Sequence, residues 1–353
     1  MNLEKLRKQI DAFDARIVEA LNQRLEVSLK IRKLKKKLGK GIYSPEREQQ
    51  VIAKLKKISR GPLSPGALEG IYREIMSSAL ALERPLRIAY LGPEATFTHL
   101  AAIKRFGRQL EYLSCGSISD VFKEVERLNA DYGVVPVENS IEGAVTHTLD
   151  IFIDSDLKIC SQVVMNVTHN LLSNSAKGKI GKIYSNPQVF AQCRLWLQKN
   201  FPGAELIDVA STTKAAQIVR KQKNAACIAS TLAASVYKLK IIAGDIEDSP
   251  SNITRFLVIG KDGVSPTGND RTSLVFSIKD KVGALHDMLV PFKKYRINLT
   301  KIESRPSKKK AWDYYFFVDL EGHIQDKNVA RALKELEAYA KFFKILGSYP
   351  RIE

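Results

Sequence analysis

Leu3, Leu6, Ile10, Phe13, Ile17 and Leu21 recur at steps of three and four residues, the apolar stripe of an amphipathic helix. No breaker interrupts the pattern before Gly39. A helix of that length spans about 57 Å at ~1.5 Å per residue, more than so small a domain can cover with its own chain. A second copy of the chain is the expected cover, giving at least a homodimer, and a dimer of dimers if another surface also pairs. Gly39-Lys40-Gly41 breaks the helix, and Ser44-Pro45-Glu46 offers an N-cap with proline in the first turn of a second helix. That helix is expected to run from Pro45 to about Ser59. Gly61-Pro62 ends it, and Ser64-Pro65 opens a third helix reaching about Arg84.

Pro85 marks a change of pattern. Short β-rich runs (RIAYLGP, YGVVPVE, KIYSNP, AACIAS, RFLVIG) now alternate with helical stretches, which predicts an α/β layered domain with a mostly parallel sheet. Ligands of such sheets bind at the carboxyl ends of strands. Three strand ends carry polar turns: Gly92-Pro93-Glu94, Glu138-Asn139-Ser140 and Ser185-Asn186-Pro187. A polar linker, Val264 to Asp270, follows. Beyond it the pattern reads strand (273–278), helix (283–294), strands near 297–304 and 312–320, helix (327–341) and a last strand around 343–347. This β-α-β-β-α-β order is a ferredoxin-like unit, with Lys308-Lys309-Lys310 as solvated charge at its hairpin tip. The expected architecture is multidomain: an all-α domain over 1–85, an α/β domain over 86–265 and an α+β ferredoxin-like domain over 271–353.

Composition agrees with several domains, since 353 residues exceed one ordinary core. The formal charge of +18 raises two partner classes, nucleic acid and small polyanions. The densest basic run, KIRKLKKKLGK, lies inside a helical apolar pattern of Ile31, Leu34 and Leu38. No aromatic residue interleaves it, and no zinc-finger or RNP-type motif accompanies it. Small anionic ligands are therefore expected, and no nucleic acid. No apolar run reaches the ~18 residues of a membrane span, and the N-terminal stretch is charged and periodic rather than an apolar signal core. A cytoplasmic protein without a membrane partner is expected. Cys115, Cys160, Cys193 and Cys227 are scattered singly, as reduced structural thiols would be.

Arg24, Ser28, Ile31 and Lys35 share one helical face. Two cations on an otherwise apolar face point to an anionic ligand. The ordered set LRKQIDAFDARIVEALNQR, KLK and YSPERE, within residues 3–84, resembles the all-helical chorismate mutases. The resemblance implies that Arg24 and Lys35 bind substrate in their own site, with Arg47 and Glu48 contributed by the second helix. Arg7 would reach into the partner's site; it stands about 100° around the helix from Arg24. Chorismate carries two carboxylates and rearranges through a cyclic transition state with negative charge growing on its ether oxygen. Arginines can hold the carboxylates, and Lys35 is the natural donor to that oxygen. Two positions depart from the family pattern: Ser44 stands where aspartate is common, and Glu83 where glutamine supplies a second donor. An ionised carboxylate cannot donate, so Glu83 has to be protonated to serve. The expected result is a rearrangement rate that falls as pH rises, with a flatter pH profile in Glu83→Gln.

The blocks IAYLGPEATFTHLAA, DYGVVPVENSIEGAV, THNLL, YSNPQVFAQC, STTKAA and SNITRFLVIG, over roughly 87–260, resemble prephenate dehydratases. This implies two α/β lobes with the active site between them, like a periplasmic binding protein. The reaction expels carbon dioxide and the ring hydroxyl of prephenate, and aromatisation drives it. The enzyme's task is to align the substrate and protonate a poor leaving group. No metal or organic cofactor is needed, and no metal-ligand spacing occurs. By the resemblance Thr254 either donates to the departing hydroxyl or positions it. Glu138, Asn139, Ser185, Gln192, Thr213 and Arg255 match other polar positions of the family, and Thr96 and Thr98 are placed to bind a substrate carboxylate. Asn186 stands where histidine is common and is given no catalytic role. His99, His147 and His169 are read as structural or as supporting the site residues from behind, not as general acids.

Gly283-Ala284-Leu285-His286 and Glu303-Ser304-Arg305-Pro306 resemble the two effector motifs of ACT domains in phenylalanine-regulated dehydratases. Gly283 would let backbone approach the amino acid, and Leu285 would pack on its ring. Together the three resemblances imply a fused chorismate mutase–prephenate dehydratase with a phenylalanine-sensing tail. Arogenate in place of prephenate, or a non-catalytic phenylalanine-responsive binding protein, are the alternatives; Thr254 and the full cation set speak against the second.

Overall fold

The computed structural model describes residues 2–38, 43–83, 86–249, 251–278, 281–307 and 314–351, with Lys36 and Glu83 described by their backbones alone. The Gly39–Gly41 turn, the Pro85 boundary, the Lys308–Lys310 tip and the Glu83 side chain lie outside the described residues. The chain forms two compact units, Met1–Arg87 with Phe106–Glu111, and Ile88–Arg105 with Tyr112–Glu353.

In the first unit the periodic stripe becomes α1 (Leu3–Lys37), followed by α2 (Pro45–Ile58) and α3 (Pro65–Glu83). α3 packs on both of the others. Ser64 caps α3 by accepting from the Ala67 amide at 3.2 Å. Ser44 occupies the N-cap of α2 in extended backbone, with Pro45 preorganising the first turn, but makes no side-chain cap bond. Much of the α1 stripe is exposed: Ile10 and Phe13 are each 58% accessible.

The second unit begins with β1 (Arg87–Leu91), α4 (Phe97–Phe106), β2 (Glu111–Cys115), α5 (Ile118–Glu126), β3 (Tyr132–Asn139), β4 (Gly143–Ala144), α6 (Thr146–Asp154) and β5 (Lys158–Asn166). The chain then crosses to a second lobe. This comprises β6 (Asn170–Ser173), β7 (Lys182–Ser185), α7 (Pro187–Gln192), α8 (Arg194–Asn200), β8 (Glu205–Asp208), α9 (Thr212–Val219), β9 (Ala225–Ala229), α10 (Thr231–Tyr237) and β10 (Lys240–Ala243). It returns to the first lobe as β11 (Ile253–Gly260). The sheets run β2-β1-β3-β11-β5, with β4 beside β3, and β10-β6-β9-β7-β8. Two lobes joined by two crossings match the expected architecture. The sheets themselves are mixed rather than mostly parallel. β1 and β3 run parallel, but returning β11 lies antiparallel to both β3 and β5, because it enters the first lobe from the opposite end.

The last segment is β12 (Asp270–Ser277), α11 (Ala284–Lys294), β13 (Leu299–Pro306), β14 (Tyr314–Glu321), α12 (Lys327–Tyr339) and β15 (Phe342–Pro350). Its antiparallel sheet, β13-β14-β12-β15, has the ferredoxin-like order. Strand alternation gives the sheet two apolar faces. Leu274, Phe276, Val318 and Leu320 pack under α11 and α12, while Val275, Phe317, Leu346 and Tyr349 join the core of the first lobe. A Cβ at Gly347 would stand 2.3 Å from the Ile159 carbonyl oxygen. Only glycine lets β15 lie so close to β5.

Candidate functional site

The first unit holds a cavity of about 780 Å³ lined by Arg24, Ser28, Ile31 and Lys35 from α1, by Ser44, Arg47 and Glu48 around the start of α2, and by Met76 and Leu80 from α3. The helical spacing thus brings its predicted face to one wall. Arg24 Nη1 is buried there without a hydrogen-bond partner, an orphaned cationic donor of the kind a carboxylate satisfies. Arg47 donates to Gln50 at 3.4 Å, a long contact that leaves it easily recruited. Arg7 does not line this cavity; it is exposed on α1, between the exposed Leu3 and Ile10 of the apolar stripe.

In the second unit, the β11–β3 ladder sets Thr254 opposite Asn139. Asn139 Nδ2 donates to Thr254 Oγ1 at 2.8 Å and to Asn252 Oδ1 at 2.7 Å. Asn139 Oδ1 accepts from the amides of Ile141 and Glu142. The carboxamide is therefore fixed at both ends. With its oxygen accepting, the Thr254 hydroxyl keeps its own proton to donate. Asn252 in turn donates to Gln192 Oε1 at 3.2 Å, an oxygen that also accepts from His169 Nε2 at 2.7 Å. Gln192 Nε2 reaches Glu142 at 3.3 Å. Sequence reading did not single out Asn252, which lies just before β11, two residues from Thr254.

Other predicted residues lie apart from this cluster. Ser185 ends β7, fully buried, and donates to the Ile228 carbonyl. Thr213, in the first turn of α9, is fully buried with its hydroxyl unpartnered. Thr96 donates to the Leu91 carbonyl and caps α4 by accepting from the His99 amide; Thr98 is buried in that first turn. Asn186 caps α7 through the Val189 amide, which accounts for an asparagine there without chemistry. Glu138 and Arg255 do not share the face of Asn139 and Thr254. They alternate to the opposite side of the sheet, where they meet each other at 2.9 Å and the ferredoxin-like domain beyond.

The histidines suit structure better than proton transfer. Burial lowers the His99 pKa to about 4, its ring stacks on Tyr90, and its Nδ1 accepts from the Ala95 amide at 3.1 Å. A ring that is neutral near pH 7 and holds a backbone amide is no general acid. Burial also lowers the His169 pKa, against a smaller opposing effect of the Gln192 bond. His147 pairs with Ser119 at 3.0 Å. The four cysteines are buried thiols, and burial pushes Cys193 and Cys227 up to about 12. Among the described residues, no group of three or more His, Cys, Asp or Glu is arranged to hold a metal ion, and no helix is long and apolar enough to cross a membrane.

At the ferredoxin-like domain, Gly283 begins α11 at φ +76° with open space around it, a left-handed position that only glycine takes without strain. Leu285 and His286 are exposed beside it. The second motif divides by face along β13. Ser304 pairs with Phe316 on the helix-covered side, and Ser304 and Pro306 are exposed. Arg305 turns to the other side, 3.3 Å from Asp150 of α6, and Glu303, two residues earlier on β13, shares that side.

A cation-lined helical cavity, a two-lobed domain with a hydroxyl–amide cluster and a ferredoxin-like tail define a multidomain enzyme of small molecules. Residues 6–84 match the family profile described as chorismate mutase type II, residues 88–264 prephenate dehydratase, and residues 272–338 the ACT domain. A bifunctional chorismate mutase/prephenate dehydratase of Aquifex aeolicus is 50% identical, over 99% of this chain and 98% of its own. A prephenate dehydratase of Methanocaldococcus jannaschii is 40% identical over 74% of this chain and 97% of its own. The solved prephenate dehydratase of Arthrobacter aurescens, in complex with L-Phe, is 32% identical with a TM-score of 0.70, over 75% of this chain and 90% of that one. The chain belongs to the family of bifunctional chorismate mutase/prephenate dehydratases.

Proposed function

We propose that the first unit rearranges chorismate to prephenate, and that the two lobes of the second convert prephenate to phenylpyruvate under feedback inhibition by phenylalanine. The boundaries are those of the sequence patterns, 1–85, 86–265 and 271–353. In the first step Arg24 and Arg47 hold carboxylates while Glu48 and Ser44 contact the remaining polar groups. Lys35 donates to the ether oxygen as the C–O bond breaks and the new C–C bond forms. Arg7 lies on the exposed apolar face of α1, so the partner chain that covers this face receives it. A homodimer follows, and a dimer of dimers if the last domain also pairs.

In the second step Thr96 and Thr98 hold a substrate carboxylate, and Ser185, Gln192 and Thr213 line the second lobe. The bond to the leaving carboxylate breaks, and its electron pair enters the ring. The ring C–O bond then breaks, and the hydroxide takes a proton or a hydrogen bond from Thr254 as it departs. The observation that most supports this reading is the Asn139–Thr254 bond across β3 and β11, which presents a single proton donor on a rigid carboxamide. The test is to supply prephenate and arogenate in parallel: prephenate is expected to be the faster substrate, and preferential turnover of arogenate would overturn the assignment. A cytoplasmic site of action belongs to the same proposal.

Phenylalanine is proposed to bind by Gly283–His286 and Glu303–Pro306, as an effector with unequal affinity for two states of the domain. In Gly283→Val, whose φ of +76° a β-branched residue resists, inhibition by phenylalanine is expected to disappear. Inhibition retained at the same concentration would remove the motif from the effector site.

A further inference from the structure

Neighbouring residues on two strands face opposite domains. On β11, Thr254 faces Asn139 while Arg255 faces the ACT sheet; on β3, Asn139 and Glu138 divide in the same way. Strand alternation requires this. On the far side, Arg255 Nη1 meets Asp319 Oδ2 at 2.7 Å, and Arg255 Nε lies 2.9 Å from Glu138 Oε1. Lys301 pairs with the other oxygen of Glu138. Asp319 also accepts from Ser273, whose hydroxyl meets Tyr349 Oη at 2.7 Å.

Each ACT strand thus contributes one member: Ser273 on β12, Lys301 on β13, Asp319 on β14 and Tyr349 on β15. The Arg255 and Asp319 side chains are only 7% and 9% exposed. Burial alone would lower the Arg255 pKa, but the nearby Asp319, Tyr349 and Glu138 outweigh it and raise the pKa, so the guanidinium stays charged. A buried charge held between two carboxylates, one of them hydrogen-bonded to it, tolerates little displacement, because breaking one ion pair strands a charge.

We propose that Asp319, acting through Arg255 and Glu138, is a positioning residue of the dehydratase reaction. It holds β11 against β3 so that the Thr254 hydroxyl and the Asn139 carboxamide remain in reactive register. The proposal rests on reading Thr254 as the group that meets the departing hydroxide. It makes the ACT sheet part of the support of the active site.

The experiment uses the full chain in four forms: unaltered, Asp319→Asn, Thr254→Ala and the double variant. Asp319→Asn keeps the side chain's size and an acceptor for Ser273 but removes its charge. Dehydration of prephenate is followed in the steady state for the first two, and in single turnovers with enzyme in excess for all four. Thermal unfolding confirms that each is folded at the assay temperature. Asp319→Asn is expected to lower kcat about tenfold at unchanged KM, as small displacements of reacting groups do. In the Thr254→Ala background it should slow the reaction less than about twofold, since no hydroxyl remains to be misplaced. Equal slowing in both backgrounds would show a merely structural role and overturn the proposal, as would no slowing in either. Full activity in Thr254→Ala alone would instead overturn the reading of Thr254 itself, and the proposal with it. Should Asp319→Asn not fold, Ser273→Ala removes one partner of Asp319 without touching its charge. It is expected to show the same dependence on Thr254 at about threefold, and equal effects in both backgrounds would again decide against it.

Discussion

Lys35→Ala is expected to lower the rearrangement of chorismate about 10²- to 10³-fold, the usual effect of removing one preorganised donor from developing negative charge. Lys35 shares a wall of the first unit's cavity with Arg24 and Ser28, at helical spacing. The Arg24 guanidinium carries an orphaned nitrogen in that wall. Arginines at the carboxylates bind substrate and transition state alike, whereas a donor at the ether oxygen gains strength only as the C–O bond breaks. The loss is therefore expected in kcat more than in KM. Prephenate supplied directly to the same variant should be dehydrated within about twofold of the normal rate, because sites that share no residues act independently. Lys33, an exposed cation two residues away, is the control, and Lys33→Ala should leave the rearrangement within about twofold. Comparable losses in the two lysine variants would mean that general positive charge, not a placed donor, does the work.

Thr254→Ala is the reciprocal case. It is expected to slow dehydration of prephenate by about 10²-fold or more, within the range of a positioned proton donor, while rearrangement of chorismate continues. Thr254→Ser keeps the hydroxyl and its bond from Asn139 and should retain most of the activity. The pair separates the hydroxyl from the packing of the methyl group in a strand that is buried along most of its length. An alanine variant as active as the serine variant would contradict a role for the hydroxyl.

How far these sites were legible depends on the range of the interaction. Helical spacing within α1 is local, so Arg24, Ser28 and Lys35 could be put on one wall from the sequence alone. The five β-rich runs are all strands, since their Val- and Ile-rich pattern is local too. Strand direction is not local. β11 lies between β3 and β5, more than eighty residues earlier in the chain, and the expectation of a mostly parallel sheet had no means of seeing that insertion. Glu138 and Arg255 depend on a different kind of information. Adjacent residues of a strand face opposite sides, so Arg255 and Thr254 leave β11 in different directions, although Glu138, Asn139 and Arg255 all border one cavity of about 490 Å³. What covers the far face, a sheet contributed by residues 270–350, required the structure. Gly347 carries a similar message: its lack of a side chain has no local reason and is explained only by the Ile159 backbone against it.

Two sequential activities on one chain under phenylalanine control can be followed in one mixture of purified protein and chorismate, with prephenate and phenylpyruvate measured separately in the presence and absence of phenylalanine. Chorismate should disappear, phenylpyruvate should form without added cofactor, and phenylalanine should suppress phenylpyruvate formation. Chorismate left unchanged, or prephenate accumulating with no phenylpyruvate, would contradict the assignment of both activities to this chain.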